Sequence, residues 1–338
     1  MNKQRKQSIS NLNEDSRNIT VLLFIFVVFF LTMSLLSPKT FLSIATMRSM
    51  CVQLPEFGIY SLAMMFAMIS GGIDLSIVSI GNLASILACS YMINQMQKTD
   101  TGNEAVIIIT GIVIALIVGV VCGIFNGFAI SVIGIPPMLA TLATMQIFDG
   151  ISMIFTEGAS VQGLPEGFAL IGSKTVFNAI PVIMILFLFL VFVIHIIQNH
   201  TYLGFTVYML GTNKTASDYS GINTVKTTII CYAFSGFLST IAGLILSSRS
   251  MSARMDYGSI YQLQAILAVV LGGISPLGGK GKVVGVMLAV LALQVLSTGL
   301  NILSISATSY LKNLVWGLLL IVVLVAKYYM GNHRDTSK

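Results

Sequence analysis

The chain has 338 residues, of which 56% are hydrophobic and only 9% are charged, with a mean hydropathy of +0.92 and a formal net charge of +6. A water-soluble domain carries about 25% charged residues, so this composition excludes a soluble globular protein. The basic residues are scattered between apolar segments, which is typical of membrane topology and not of a nucleic-acid-binding face. The composition therefore predicts an all-α polytopic membrane protein.

The apolar segments have the length that crosses a bilayer as a helix, roughly 17–25 residues. We predict about ten transmembrane helices, at 20–36, 50–69, 75–94, 105–130, 136–156, 177–197, 226–247, 261–275, 283–303 and 310–328. The segment 261–275 is short and flanked by glycine, so we expect a broken or re-entrant helix there. This division leaves a polar N-terminal tail at 1–19, a membrane domain at 20–329 and a C-terminal tail at 330–338.

The first span is followed by Ser37-Pro38-Lys39 and not by a cleavage site of small residues, so we interpret it as a retained signal anchor. With the N-terminal tail in the cytoplasm, ten spans also return the C-terminal tail to the cytoplasm. Of the 18 Lys and Arg residues, eleven then fall on the cytoplasmic side and seven on the outer side. This mild excess agrees with the positive-inside rule.

A glycine pair and one carboxylate interrupt the apolar sequence at Ser70-Gly71-Gly72-Ile73-Asp74-Leu75-Ser76. A charge flanked by hydrocarbon-compatible sequence is costly unless it is capped, paired or hydrated. One interpretation of Asp74 is a cap that accepts backbone N–H groups at the start of the next helix. The other is a group that contacts a solute or a gate.

The longest polar connection, 198–225, lies on the cytoplasmic side in this topology. It predicts a short helix from Lys214 to Tyr219, capped by Asn213 and ended by Gly221. Such a helix is a candidate docking surface for another protein, and a simple connector is the alternative.

Small residues recur every fourth position in two of the spans. Such faces let helix backbones approach closely in lipid, within one chain or between two copies. We favour packing within the chain for both ladders, which are Gly119, Gly123, Gly127 and Ser235, Ser239, Gly243. Asn126, beside the first ladder, then needs a hydrogen-bond partner inside the bundle.

Catalytic and metal-binding patterns are lacking in the sequence. The glycine-rich stretch 272–282 does not match a phosphate loop, because the glycine required five residues before each Gly-Lys pair is replaced by Ile274 or Pro276. The histidines and cysteines lack ligand spacing. Outside the first motif, most carboxylates, Glu56 among them, map to the outer side or its loops. Asp74 and Asp149 are the two candidates for buried carboxylates. This scarcity argues against a proton- or sodium-driven carrier.

The motifs resemble those of the sugar-importing ABC permeases, the ribose and related monosaccharide group. Residues 70–76 are similar to the SGGIDLSVGS signature of that family, and residues 261–273 to its YELDAIAAVVLGG signature. Further similarity covers nearly the whole chain after residue 40, at Asn126-Gly127, Thr141-Leu142, Gly211-x-Asn213, Ser220-Gly221-Ile222, 278–285 (GGxGxxxG) and Asn301 (GLNLL).

The resemblance implies a bacterial inner-membrane permease for a monosaccharide or similar small polar solute. It also implies a separate ABC ATPase that binds the ATP, a periplasmic or lipid-anchored sugar-binding protein and a second permease copy. No cofactor, metal or catalytic residue is expected in this chain. We expect the solute pathway or gate at Asp74, Ser76, Asn126, Thr141 and Asn301; hinges at Gly71, Gly72, Gly272, Gly273, Gly278 and Gly279; and coupling to the ATPase at Gly211, Asn213, Lys214, Ala216, Ser217, Ser220 and Gly221.

Several positions depart from the family pattern, among them Gly204-Phe205 where the family commonly has Gly-Arg and Ala216-Ser217 where it has Ala-Ala. Asp149 stands where the family often has Arg, and Gln262 and Gln264 replace the acidic pair of the second signature. The identity of the solute and the roles of these residues stay open at this point. The competing interpretation is a stand-alone secondary carrier or facilitator. A membrane scaffold would leave the ordered glycine and asparagine motifs unexplained.

Overall fold

The computed structural model describes residues 2–98, 104–176, 180–302 and 313–325, with side chains from residue 19 onward. Helices account for nearly all of this structure. In chain order they are α1 (Asn2–Leu36), α2 (Pro38–Phe41), α3 (Ile44–Ile69), α4 (Ile77–Lys98), α5 (Glu104–Phe128), α6 (Pro137–Thr156), α7 (Glu166–Ser173), α8 (Val182–His200), α9 (Tyr202–Thr212), α10 (Lys214–Tyr219), α11 (Thr224–Ser250), α12 (Ser259–Leu271), α13 (Val283–Ile302) and α14 (Asn313–Val325).

Four two-residue strands form two antiparallel pairs outside the helices. They are β1 (Val161–Gln162), β2 (Thr175–Val176), β3 (Ile180–Pro181) and β4 (Ser252–Ala253). β1 pairs with β4, and β2 pairs with β3. These strands fasten loops and do not form a sheet with a core of its own.

Among the described residues, eight helices are long and apolar enough to cross a membrane, and α12 and α14 are shorter apolar helices. Each of the ten predicted segments coincides with one of these ten helices, so the all-α polytopic class is confirmed. The predicted ends were less accurate: α3 begins at Ile44 and not at 50, α4 runs over 77–98 and not 75–94, and α8 runs over 182–200 and not 177–197. The ends of the predicted span 310–328 and the tail 330–338 lie outside the described residues.

α12 confirms the expectation of a short helix. Its 13 residues extend for about 20 Å, less than the roughly 30 Å of a hydrocarbon core. Gly272 and Gly273 end the helix, and the turn that follows contains four positive-φ glycines, Gly273, Gly278, Gly279 and Gly281. α12 by itself is therefore too short to span the membrane.

α3 is the central helix of the bundle, because every residue from Leu54 to Ile69 is buried. A helix that is apolar on all sides needs neighbours on all sides. α11, α12, α13 and α8 supply them.

The glycine ladder of α5 packs against α11 within the chain, as we favoured. A Cβ atom on Gly119 would lie 1.8 Å from Thr240 Oγ1, and one on Gly123 would lie 2.2 Å from the Tyr232 carbonyl oxygen. A larger side chain would force α5 away from α11, so the small residues set this helix spacing.

The break between α5 and α6 follows the predicted proline pair. The last turn of α5 widens into a π-helical turn at Ala129–Ile133, and Gly134 adopts a φ of 85°. Pro136 and Pro137 then start α6, with Pro137 at its first position, where a missing N–H costs nothing.

Candidate functional site

The signature loop, residues 70–76, joins α3 to α4 with very little space around its glycines. Gly71 has a φ of +92°, a conformation that L side chains rarely adopt. A Cβ on Gly72 would lie 2.3 Å from the Tyr232 hydroxyl and 2.8 Å from Pro137 Cβ. The glycine pair is therefore required by a sharp turn and by close packing against α6 and α11.

Asp74 is fully buried, with 0% of its surface exposed, and its carboxylate is hydrogen-bonded on both oxygens. Its Oδ1 accepts the backbone N–H of Ser76 at 3.0 Å and the Ser76 hydroxyl at 2.6 Å. Its Oδ2 accepts the Ser235 hydroxyl at 2.8 Å. The carboxylate therefore binds the backbone N–H of Ser76, the residue before α4, which agrees with the capping interpretation, whereas contact with a solute or a gate stays a prediction.

Asn126 and Thr141 join the same hydrogen-bonded network. The Asn126 side-chain amide donates to the Ser76 hydroxyl at 2.7 Å, and the Thr141 hydroxyl donates to the Ile73 carbonyl at 2.9 Å. Asn126 thus has the partner inside the bundle that its position demanded. The structure brings together Asp74, Ser76, Asn126 and Thr141, and it links α4, α5, α6 and α11.

Asn301, the fifth residue predicted for the pathway, is separate from this network. It is exposed near the end of α13. Conversely, Ser235 was predicted only as part of a packing ladder, although it is a direct ligand of the Asp74 carboxylate. Its place on the small-residue face of α11 was the available signal.

Four glycines from three separate signature segments meet at one end of the bundle, and we call Gly71, Gly211, Gly278 and Gly279 the glycine junction. The Gly279 N–H donates to the Ile69 carbonyl at 2.9 Å. A Cβ on Gly211 would lie 1.9 Å from that same carbonyl oxygen, and one on Gly278 would lie 2.8 Å from Gly71 Cα. The backbones of α9, the signature loop and the α12–α13 turn are thus in direct contact.

Side chains of α8 and α9 also form hydrogen bonds with the α12–α13 turn, and these residues were not predicted from the sequence. The Tyr208 hydroxyl donates to the Gly281 carbonyl. The Gln198 side-chain oxygen accepts the N–H of Val283 at 3.1 Å. The end of the α12–α13 connection is therefore bound by a side chain of α8 and by one of α9.

The short helix in the 198–225 connection forms as predicted, as α10. The Asn213 side-chain oxygen accepts the Ala216 N–H at 2.9 Å, and Gly221 ends the segment with a φ of +80°. The Asp218 carboxylate accepts the Thr224 hydroxyl at 2.6 Å, which ties α10 to α11. Ser217 is buried, and the other residues of the helix are exposed, Tyr219 to 90%.

Glu56 corrects one prediction from the sequence. Asp74 and Asp149 were the candidates for buried carboxylates, but Glu56 is also fully buried, within α3. Its Oε1 lies 2.9 Å from Arg249 Nε, and its Oε2 accepts the Tyr261 hydroxyl at 3.0 Å. The error arose because the sequence does not show that Arg249 reaches across from α11.

Metal ligation finds no support among the described residues, where no cluster of three or more His, Cys, Asp or Glu side chains occurs. Cys51, Cys89, Cys122 and Cys231 are free thiols. The site consists of a buried polar network and a backbone junction.

Comparison with known proteins agrees with this arrangement. The family described as "Branched-chain amino acid transport system / permease component" matches residues 46–324. The ribose import permease protein RbsC of Bacillus subtilis is 33% identical over 305 residues, covering 90% of this chain and 89% of the relative. That of Haemophilus influenzae is 32% identical, with 91% and 92% coverage.

A third relative is the autoinducer 2 import system permease protein LsrD of Photorhabdus laumondii. It is 31% identical over 284 residues, covering 82% of this chain and 81% of the relative. The family match at residues 46–324 includes the signature loop, α10 and the glycine junction. This chain therefore belongs to the family of permease components whose members include the ribose and autoinducer 2 import permeases.

Proposed function

We propose that this chain forms the membrane pathway of an ATP-binding-cassette importer for a monosaccharide or a similar small polar solute. A separate ATPase binds and hydrolyses the ATP, and a binding protein delivers the solute from outside. Two permease copies enclose the pathway, and both termini lie in the cytoplasm. The observation that carries the proposal is the exposed helix α10, joined through the glycine junction to the buried Asp74 network.

The exposed surface of α10 supports a protein partner. A six-residue helix is not stable alone in water, yet α10 is fixed at both ends by the Asn213 cap and the Asp218–Thr224 hydrogen bond. Its exposed residues include a cation, an anion and the aromatic ring of Tyr219. α10 is thus a fixed, exposed helix with side chains of both charges, and such a helix is suited to bind in a groove on an ATPase.

The contacts behind α10 support mechanical coupling. Because Gly211 lies against the Ile69 carbonyl without space for a methyl group, a shift of α9 and α10 must move the signature loop. That loop carries Asp74, whose hydrogen bonds hold α4 and α11 together. In this mechanism, closure of the ATPase pair moves α10, rearranges these helices and exposes the pathway to the other side of the membrane.

The similarity to import permeases favours this function over a stand-alone carrier. The relatives named for ribose and autoinducer 2 import match along 80–90% of this chain. A facilitator that works alone would have no use for a rigid exposed helix tied to a buried network.

Reconstitution tests the proposal. The proteoliposomes hold the permease, the ATPase encoded next to it in the genome and the binding protein. We expect them to accumulate labelled ribose or another pentose or hexose only when ATP is present on the side of the membrane where the ATPase is bound. An ATPase variant that cannot hydrolyse ATP is the control. Concentrative uptake by the permease alone would show a secondary carrier instead, and failure of the ATPase to co-purify would remove the proposed coupling.

A further inference from the structure

Polar side chains in the middle of α6 lie on the outer face of the single chain. Gln146 is exposed and Asp149 is partly exposed, in a helix long and apolar enough to cross the membrane. Ala143 and Gly150, also exposed, flank Gln146 on the same face at helical spacing. A carboxylate and a carboxamide in mid-membrane are costly against lipid, so this face must meet water, solute or protein.

Other outer faces of the bundle have the composition that lipid requires. The exposed side chains of the middle of α5 are all aliphatic, namely Val106, Ile109, Val113, Ile117 and Val121. The exposed side chains in the middle of α8 are also apolar, namely Ile185, Leu188, Phe189, Phe192 and Ile196. The outer face of α6 differs from these faces because Gln146 and Asp149 interrupt its exposed apolar side chains, which include Leu142 and Ile147.

α12 brings a second carboxamide to the same level of the bundle. The Gln262 amide lies 3.5 Å from the sulfur of Met145, the residue before Gln146 and one turn from Asp149. α4 packs against both α6 and α12. The buried hydroxyl of Ser79 on α4 interacts with the Asp149 carboxylate. Gln146 and Asp149 on α6 and Gln262 on α12 are therefore polar side chains near one another, and we call the surface that they share the α6–α12 cleft.

We propose that the α6–α12 cleft is the solute-contacting wall of the pathway, with Asp149 and Gln262 as residues that select a neutral, hydroxyl-rich solute. This proposal rests on the proposed function and adds the site and the residues that contact the solute. The carboxylate accepts hydroxyl protons, and the two carboxamides both donate and accept. The small side chains of Ala143 and Gly150 leave space beside them.

The charge of the cleft also defines what it rejects. Asp149 repels anions, so a phosphorylated sugar would pass poorly. An alternative location, a cavity of about 250 Å³ between α1, α12, α13 and α14, is lined by apolar side chains such as Phe24, Leu267 and Leu319. Such a lining leaves hydroxyl groups without partners, which costs free energy.

Thiol accessibility tests the location without any knowledge of the solute. Ala143→Cys, Gln146→Cys and the control Ile117→Cys are placed in a Cys51→Ser background of the full chain, expressed with its ATPase. We expect a charged, membrane-impermeant methanethiosulfonate to modify the two α6 thiols at least about tenfold faster than the control, in right-side-out or inverted vesicles. Equal, slow modification of all three would overturn the proposal.

Uptake of labelled ribose, xylose and glucose by the reconstituted importer tests selection. We expect Asp149→Leu and Gln262→Leu each to lower the transported sugar's uptake about tenfold, since its hydroxyls lose their partners. Glu157→Gln, at the exposed end of the same helix, should leave uptake unchanged.

The two experiments separate the failure of this inference from the failure of the proposed function. If the wild-type importer accumulates none of the sugars while the α6 thiols react rapidly, the sugar-import assignment fails and the water-filled cleft stands. If the wild type imports a sugar and both leucine variants import it equally well, the cleft is not the selecting wall.

Discussion

At the scale of single residues, the buried charges of this chain are held by specific partners. Asp74 accepts three hydrogen bonds, and Glu56 pairs with Arg249. Each carboxylate has a partner from a distant part of the sequence, since Ser235 lies 161 positions from Asp74. Each carboxylate thus ties a helix in the first third of the chain to α11.

Replacing Asp74 tests its role as a cap. Asp74→Ala leaves the Ser76 N–H and two hydroxyl groups buried without their acceptor, so we expect a loss of about 1–3 kcal/mol in stability. Asp74→Asn keeps one acceptor oxygen and should lose less. The thermal unfolding midpoint of the purified chain in detergent measures both. Equal midpoints for wild type and Asp74→Ala would show that the hydrogen bonds do not stabilise the fold.

The Glu56–Arg249 pair predicts a non-additive pattern of stabilities. Arg249→Met leaves the Glu56 carboxylate buried without a cation, at a cost of about 3–5 kcal/mol. The double variant Glu56→Leu with Arg249→Met removes both charges and should recover most of that loss. Unfolding midpoints of the single and double variants decide between these outcomes. A double variant less stable than Arg249→Met would mean that the pair is not the reason for the cost.

At the scale of elements, local signals predicted the helices better than the contacts between them. α10 was predicted with the correct ends, because its cap residue Asn213 and its stop residue Gly221 lie next to it in the sequence. The glycine junction was not predicted as one structure. Gly71, Gly211 and Gly278 each predicted a local turn or loop, whereas their meeting depends on how α3, α9 and α12 end at the same level.

Gly211 provides the test of the glycine junction. Gly211→Ala places a methyl group against the Ile69 carbonyl, so α9 must separate from the signature loop, whereas the surface of α10 stays intact. We therefore expect the ATPase to co-purify normally while the number of solute molecules imported per ATP falls about tenfold.

The matched control is Gly317→Ala, a helical glycine in α14 with open space around its Cα. It should leave both the yield and the coupling ratio unchanged. Loss of ATPase binding in Gly211→Ala would assign that glycine to docking and not to transmission. An unchanged coupling ratio would show that the junction only packs.

At the scale of the whole molecule, one chain of contacts joins the exposed end of the bundle to its middle. α10 follows Gly211, which touches Gly279 and the carbonyl of Ile69, the residue that ends α3. The signature loop that follows reaches α6 through the hydrogen bond from Thr141 to Ile73. Gln146 and Asp149 lie one to two turns further along the same helix. A displacement of α10 therefore has a continuous route to the α6–α12 cleft.

The same contacts bear on the orientation of the chain in the membrane. The glycine junction places the loops after α3, α9 and α12 together at one end of the bundle. The topology with ten spans assigns all three loops to the cytoplasm, although that assignment used only segment counts and basic residues. An odd error in the number of spans between these loops would have placed them on opposite sides, so the junction supports an even number of crossings between each pair of loops.

Labelling from each side of the membrane tests the absolute orientation. Tyr219→Cys on α10 and Glu157→Cys at the far end of α6 are both exposed positions, and both are introduced into the Cys51→Ser background. We expect an impermeant maleimide to label Tyr219→Cys only in inverted vesicles and Glu157→Cys only in right-side-out vesicles. The unsubstituted background is the control for the buried thiols. The reverse pattern would place α10 outside the cell, where no ATP-driven partner could reach it, and the proposed coupling would then fail whatever the solute.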